Sequence, residues 1–321
     1  MVCLRSDDEN AKEETFMFKR IVILLLCLLT AFGTASSLAE GVRVTDMCGR
    51  EVTLDAPATR VVALDPSACD ILCALDCEDL LVGRGKGIIN PESISDVPDV
   101  PFPKEDAEIE EILALEPQVV FLNYMEQSRE QWVKLLEENG VKVVVTESTD
   151  IQDVEGVYCA IELVGALVGR EAEAQAVVDD MQATFAQIAA DSENTGKTVF
   201  FELPMMYLYS GIVTTAGTGT CIDEIAEMCG LTNAFADVEG YVPVDEEQVL
   251  ERDPDYIVNL FGLPYDDDWF MDREGWSDLK AVVNGNVLDA DYDMFWTAGP
   301  SLKDAALSVF HFVHGVETGE E

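Results

Sequence analysis

Apolar positions alternate along this chain between short strand-like runs and amphipathic helical runs, with one long helical run near the middle. In Glu171 to Asp191 (EAEAQAVVDDMQATFAQIAAD), Val177, Met181, Phe185 and Ile188 recur at helical spacing, with Val178 and Ala189 beside them. One face is therefore apolar. No Gly or Pro interrupts it, while Gly169 precedes it and Gly196 follows it. At ~1.5 Å per residue it is roughly 30 Å long, the diameter of a small domain. Because strand-like and helix-like runs alternate on both sides, it reads as a rigid spacer between two α/β lobes. The alternative is an ordinary surface helix of one large domain.

Before the spacer, Val42 to Leu54 reads as a hairpin turning at Cys48-Gly49-Arg50, and Val61 to Leu64 as a buried strand. A helix follows over Ala68 to Leu75 with Ser67 as its N-cap. Its free N–H groups then point to the end of a strand, a usual ligand position in α/β sheets. Strands are expected at Leu80–Gly83, Val119–Leu122 and Val141–Val145, and helices at Glu108–Leu115, Gln127–Asn139 and Asp153–Val168. After the spacer come a strand at Lys197–Glu202, a glycine turn at Gly217–Thr220 and a helix at Cys221–Met228. A short helix at Asp245–Glu251, strands at Tyr256–Leu260 and Val287–Leu288, and a closing helix at Pro300–His314 complete the pattern. The two halves echo each other. EIEEILALEPQVVFL (Glu108–Leu122) and DEEQVLERDPDYIVNL (Asp245–Leu260) both read acidic helix, proline, buried strand.

Composition narrows the class. The 321 residues include 19 basic and 63 acidic ones, a net charge of −44, with 48% hydrophobic residues. Such a chain buries sizeable cores but has little with which to neutralise nucleic-acid phosphates or dock on an anionic membrane. Near the N-terminus, Met17-Phe18-Lys19-Arg20 precedes an apolar run from Ile21 to Phe32, and Ser37-Leu38-Ala39 forms a small-x-small site before Glu40. This predicts a cleaved secretory signal, since the run is too short for a comfortable span. The acidic stretch Met1–Phe16 points to Met17 as an alternative start. Leu24-Leu25-Leu26 before Cys27 argues against lipid modification there. The expected organisation is a signal region over 1–39, a first lobe over 40–169, the joining helix over 170–195, a second lobe over 196–316 and an acidic tail over 317–321.

Seven cysteines remain after residue 39, and the stripe Cys69, Cys73, Cys77 falls on one helix face. Small core residues are a simpler reading than a metal cluster, and disulfide connectivity is not legible. His311 and His314 are the only histidines. A bare-metal site therefore has few ligands to draw on, and structural roles are expected for both. HExxH, GxSxG and P-loop motifs are absent; GRGKG (Gly83–Gly87) lacks the P-loop spacing. No enzyme is read from this chain.

The ordered segments VTDMCGREVTLDAPATRVVALDPSACDIL, IEEILALEPQVVFL, AGTGTCIDEIAEMCGLTNAF, VDEEQVLERDPDYIV, WSDLKAVVNGNV and GPSLKDAALSVFHFVHG carry a resemblance. Together they resemble the substrate-binding proteins of ABC importers for iron-siderophores, haem and cobalamin. The resemblance implies a class III periplasmic-binding-protein fold: two Rossmann-like α/β lobes joined by one long helix, with limited closure. It implies an exported, monomeric capture protein without an intrinsic cofactor, delivering a metal chelate to a permease and its ATPase. In such proteins one Glu on each lobe docks on permease arginines. The matching positions are Glu110 and Glu227, with Glu224 competing for the second.

Ligand positions in this family lie on strand-end loops facing the cleft. Candidates here are Ser67, Arg84, Tyr124, Tyr207, Tyr209, Thr218, Tyr241, Phe261, Trp269 and Trp296. Anionic siderophores call for several Arg or Lys, and this cleft offers few: Arg84 and Lys86 are the only clustered bases near a strand end. Phe295-Trp296-Thr297-Ala298 stands where relatives often carry a cleft Arg. An aromatic, base-poor cleft suits cobalamin or another corrinoid, or haem, better than a tricatecholate.

Overall fold

The computed structural model describes residues 41–102, 106–123, 130–147, 153–204, 213–261 and 268–315. Strands β1 (Val42–Thr45) and β2 (Glu51–Leu54) form the expected antiparallel hairpin. The Asp46 carboxylate holds its turn by accepting from the Cys48 and Arg50 N–H groups. The first lobe continues with β3 (Val61–Ala63), α1 (Pro66–Ala74), β4 (Leu81–Gly85), β5 (Asp99–Val100), α2 (Asp106–Ala114), β6 (Val119–Leu122), α3 (Glu130–Glu138), β7 (Lys142–Val145) and α4 (Val154–Val168). Its sheet is parallel, in the order β5-β4-β3-β6-β7.

Helix α5 (Glu171–Asp191) follows, at the bounds the periodicity predicts. The second lobe contains β8 (Thr198–Glu202), β9 (Val213–Ala216), α6 (Cys221–Met228), β10 (Thr232–Asn233), β11 (Tyr241–Val244), α7 (Glu246–Arg252), β12 (Tyr256–Asn259), α8 (Asp268–Met271), α9 (Lys280–Val283), β13 (Val287–Asp289), α10 (Tyr292–Trp296) and α11 (Leu302–His314). Strands β10-β8-β12-β13 form a second parallel sheet, and β9 pairs antiparallel with β11. Two parallel α/β lobes joined by one long helix are thus what the alternating pattern predicts.

The period-two alternation of strands sorts each sheet into two faces. In β3, Val61 and Ala63 face one core and Val62 and Leu64 another; in β6, Val119 and Phe121 part from Val120 and Leu122 in the same way. In β8, Val199 and Phe201 part from Phe200. The outer faces build a separate core in each lobe, but the inner faces meet in one continuous apolar layer. Helix α5 runs through that layer. Its buried stripe is Ala174, Val178, Met181, Phe185 and Ile188. Ala189 is exposed, and Ala174 takes the stripe's first place instead. Each large side chain fully buried there contributes about 1.5–3 kcal/mol, so α5 is welded to both lobes rather than strung between them. At its start Gly169 adopts the left-handed conformation (φ 71°) that closes α4. Gly165 has no room for a Cβ, which would sit 2.5 Å from that of Ala174, so α4 and α5 pack closely at their turn.

The sequence echo is a structural one. Glu116 (φ 50°) and Asp253 (φ 45°) both leave their helices through left-handed backbone and precede Pro117 and Pro254. Proline disfavours helix in the residue before it, so both chains turn there into the buried strands β6 and β12.

Two local expectations change. Asp65, not Ser67, caps α1: its carboxylate accepts from the Ser67 N–H at 3.1 Å, and Pro66 takes the first helical position. The strands β9 and β11 were not legible, because Gly and Thr flank the first and Pro243 interrupts the second.

Candidate ligand cleft between the lobes

Parallel sheets present ligands with the loops beyond the carboxyl ends of their strands. Here those loops from the two lobes meet. Ser67, beyond β3, accepts from the Ala298 N–H at 3.0 Å, beyond β13 in the other lobe. Asp70 on α1 accepts from the Ser301 N–H at 2.8 Å, just before α11. Asn90 donates to Asp293 at 2.5 Å. In the reverse direction, Glu224 on α6 accepts from the Val154 N–H at 2.7 Å, at the start of α4. Each lobe therefore supplies a side-chain acceptor to the amino end of a helix in the other. The orphan N–H groups of a helix start are stabilised by such acceptors.

Aromatic rings gather beside these contacts. Trp296 stacks on Tyr292 (centroids 5.6 Å, 15°) and meets Tyr241 edge-on at 5.8 Å. The Tyr241 hydroxyl lies 3.7 Å from Cys221 Sγ, at the first turn of α6. All three rings are partly buried. Burial first, with neighbouring charges after it, pushes the Tyr241 and Tyr292 phenols up, and the Cys221 thiol up to about 12. These groups are neutral donors at ordinary pH.

Among the expected ligand residues, Ser67, Tyr241 and Trp296 come together at this junction. Phe261 is partly buried just past β12, where Asn259 accepts from its N–H at 3.1 Å. The Thr218 hydroxyl donates to the Val238 carbonyl at 2.9 Å, tying a loop. Arg84 does different work from that expected. Its guanidinium donates to the carbonyls of Ile88, Ile94 and Ser95 and pairs with Asp99 at 2.6 Å. It clamps the 86–100 segment, and its charge is matched there. Tyr124, Tyr207 and Tyr209, and the side chain of Trp269, lie outside the described residues.

Three groups at the junction were missed. Glu147 accepts from Ser67 Oγ at 2.5 Å; it stands just beyond β7, where the strand-end rule points. Tyr292 lies four residues before Trp296, the spacing that puts both on one helix face. Cys221 carries no sequence signal that sets it apart from the other cysteines.

Glu110 is exposed on α2 and Glu227 on α6. Glu224 is half-buried, and its carboxylate accepts from the Val154 N–H at the start of α4. Of the cysteines, Cys69, Cys77, Cys221 and Cys229 are buried. His314 meets the Cys229 carbonyl at 3.0 Å, and both histidines pack on Phe310. Among the described residues, no helix is long and apolar enough to cross a membrane.

The family model described as periplasmic binding protein matches residues 61–294, from β3 through α10. The chain belongs to the periplasmic binding protein family. Its fold is the class III form, that of substrate-binding proteins of ABC importers, as the resemblance implies. An uncharacterized ABC transporter substrate-binding lipoprotein of Bacillus subtilis is 28% identical over 267 residues, 81% of this chain and 82% of that protein. A cobalamin-binding protein of Halobacterium salinarum is 28% identical over 217 residues, 66% of this chain and 57% of that protein. The crystal structure of a periplasmic binding protein from Veillonella parvula superposes with a TM-score of 0.71 at 19% identity, over 87% of this chain and all of that one. All three are binding proteins by description.

Proposed function

We propose that this periplasmic binding protein captures a metal chelate outside the cytoplasm, a corrinoid in preference to others, and delivers it to an ABC permease. The observation that carries the ligand class is the ring cluster Tyr241–Trp296–Tyr292, set where the strand-end loops of both lobes meet. Flat aromatic faces match a large, partly apolar macrocycle. Arg84, the base nearest a strand end, is held by Asp99, so the pattern fits a polyanionic siderophore poorly. The cobalamin-binding relative supports the same choice.

Haem is the second reading, favoured by Tyr241, since a phenolate oxygen can ligate haem iron. Burial works against that role by holding the phenol protonated. In either case Glu110 and Glu227 would dock on the permease, and residues 1–39 would be removed on export.

The test is titration of the mature protein with cyanocobalamin, haem and ferric siderophores, followed by absorbance and tryptophan quenching. Binding of cyanocobalamin at sub-micromolar concentration is the expected result. Failure of all three to bind below the micromolar range overturns the reading.

A further inference from the structure

Helix α10 carries Tyr292 and Trp296 and belongs to the second lobe, yet the first lobe grips it on both sides. Before Trp296, Asp293 accepts from Asn90 at 2.5 Å. After it, the Ala298 N–H donates to Ser67 at 3.0 Å and the Ser301 N–H to Asp70 at 2.8 Å. The second lobe anchors the same helix through Phe295, which is buried with its ring 6.3 Å from that of Phe201 on β8. At 5 residues, α10 is too short to hold its own conformation. Its anchors therefore decide where its rings point. Phe295 fixes one point, about which the helix could turn; tethers on both sides of it fix the turn. The tethers are rigidly mounted. Ser67 and Asp70 stand on α1, whose start Asp65 caps. Asn90 lies in the segment that Arg84 clamps through the carbonyls of Ile88, Ile94 and Ser95.

We propose that Asp70 and Asn90 are positioning residues of the cleft. Acting through the 297–301 strap and through Asp293, they hold Trp296 stacked on Tyr292 and edge-on to Tyr241. The aromatic platform of the second lobe is then complete only while the first lobe is in contact with it. Without the tethers the rings reach that arrangement part of the time, and apparent affinity for a ligand on them falls by the same fraction. Lobe separation and loss of the platform become one event, so release is built into opening. The consequence for affinity rests on the reading of these rings as the chelate site; the placement of the rings does not.

The test compares the wild-type mature chain with Asp70→Ala, Asn90→Ala, the double variant and Asp70→Asn, which keeps an acceptor oxygen for Ser301. Trp296 is one of 4 tryptophans, so its emission is isolated by subtracting the spectrum of each protein's Trp296→Phe counterpart. In the ligand-free double variant, Trp296 emission should move to longer wavelength and acrylamide should quench it more; each alanine alone should give part of the shift, and Asp70→Asn little of it. Calorimetric titration of the double variant with cyanocobalamin should show affinity weakened about tenfold. A merely structural role would lower the melting temperature while leaving the Trp296 spectrum of the folded protein where it was. An unmoved spectrum in the folded double variant overturns the inference and leaves the chelate reading standing. A shifted spectrum with unaltered cyanocobalamin affinity overturns it too. If the double variant does not fold, Asn90→Ala, which removes an exposed contact, decides by the same two readouts. If wild type binds no chelate, the chelate reading fails, and the ligand-free Trp296 spectrum still decides whether the first lobe places the rings.

Discussion

The Asp70 carboxylate on α1 accepts from the Ser301 backbone N–H at 2.8 Å, across 231 residues of chain and from one lobe to the other. Gly299 is what lets the two approach: a Cβ there would sit 2.5 Å from Asp70 Oδ2. Gly299→Ala is expected to force this contact open and to destabilise the protein by about 1–3 kcal/mol. Asp70→Ala, which removes the acceptor, should make the added Gly299→Ala nearly neutral. A double-mutant cycle in urea checks the coupling; strict additivity would show that the two sites are independent.

Acid titration has a definite sign. Burial raises the carboxyl groups of Asp65, Asp70, Glu162 and Glu202 above their ordinary values of 3.8 and 4.5. The folded chain holds protons there that the unfolded chain has released. The stability these groups contribute is fully present below the ordinary values and is lost as pH rises through the raised ones. Repulsion among 63 acidic side chains acts in the same direction. The melting temperature should therefore fall as pH is raised from 4.5, the ordinary Glu value, to about 8. A rise over this interval would contradict the assignment. The exposed Asp237 and Asp253 are lowered, each by a hydrogen bond first, from Arg252 and the Lys280 backbone. They oppose this trend only below 3.8.

Net charge also predicts a salt response. At −44, self-repulsion disfavours the compact state, and salt screens it. The Debye length falls from ~30 Å at 0.01 M to ~3 Å at 1 M. Thermal stability should climb steadily with sodium chloride across that range, as measured by circular dichroism. A flat profile would mean that charge repulsion does not limit this fold.

In the second lobe, Arg273 pairs with Glu202 through two contacts, one at 3.1 Å, both residues being buried. The guanidinium lies 3.3 Å over the Trp276 ring and 4.4 Å from that of Phe270. Arg273→Met leaves Glu202 buried without this partner and is expected to cost about 3–5 kcal/mol. Adding Glu202→Gln should restore much of that loss. Denaturant midpoints of the single and double variants decide it.

Glu110 and Glu227 sit exposed on helices of different lobes. Replacing both by alanine should leave chelate affinity intact and abolish uptake in a transport assay. Full uptake by the double variant would remove the docking assignment. Glu224→Ala should instead lower stability, because its carboxylate holds the start of α4.

Periodicity was enough to locate α5, because a one-faced apolar stripe over 21 residues has few other solutions. It also located most parallel strands, whose apolar runs are continuous. The site was legible only where a strand-end position coincided with a recognisable residue type. Ser67, Tyr241 and Trp296 met that condition, and Glu147 met it unnoticed among dozens of acids. The contacts of Arg84 with Asp99 and the carbonyls of Ile88, Ile94 and Ser95 were not legible, because residue type says nothing of where a long side chain folds back. The contacts of Asp70 and Glu224 across the lobes join residues dozens to hundreds of positions apart, through backbone N–H groups that every residue carries.

The continuous apolar layer through α5 sets the order in which the molecule can finish folding. Leu302, Ala305, Ala306 and Val309 of α11 belong to the same layer as Val61 of β3, so the wall begun near the start of the chain is completed only by its last described helix. Contacts of such long sequence separation form late. A chain lacking α11 has an unfinished shared layer, and neither half is expected to fold by itself. Severing the chain near Gly196 should yield two fragments that aggregate apart and regain structure only when mixed.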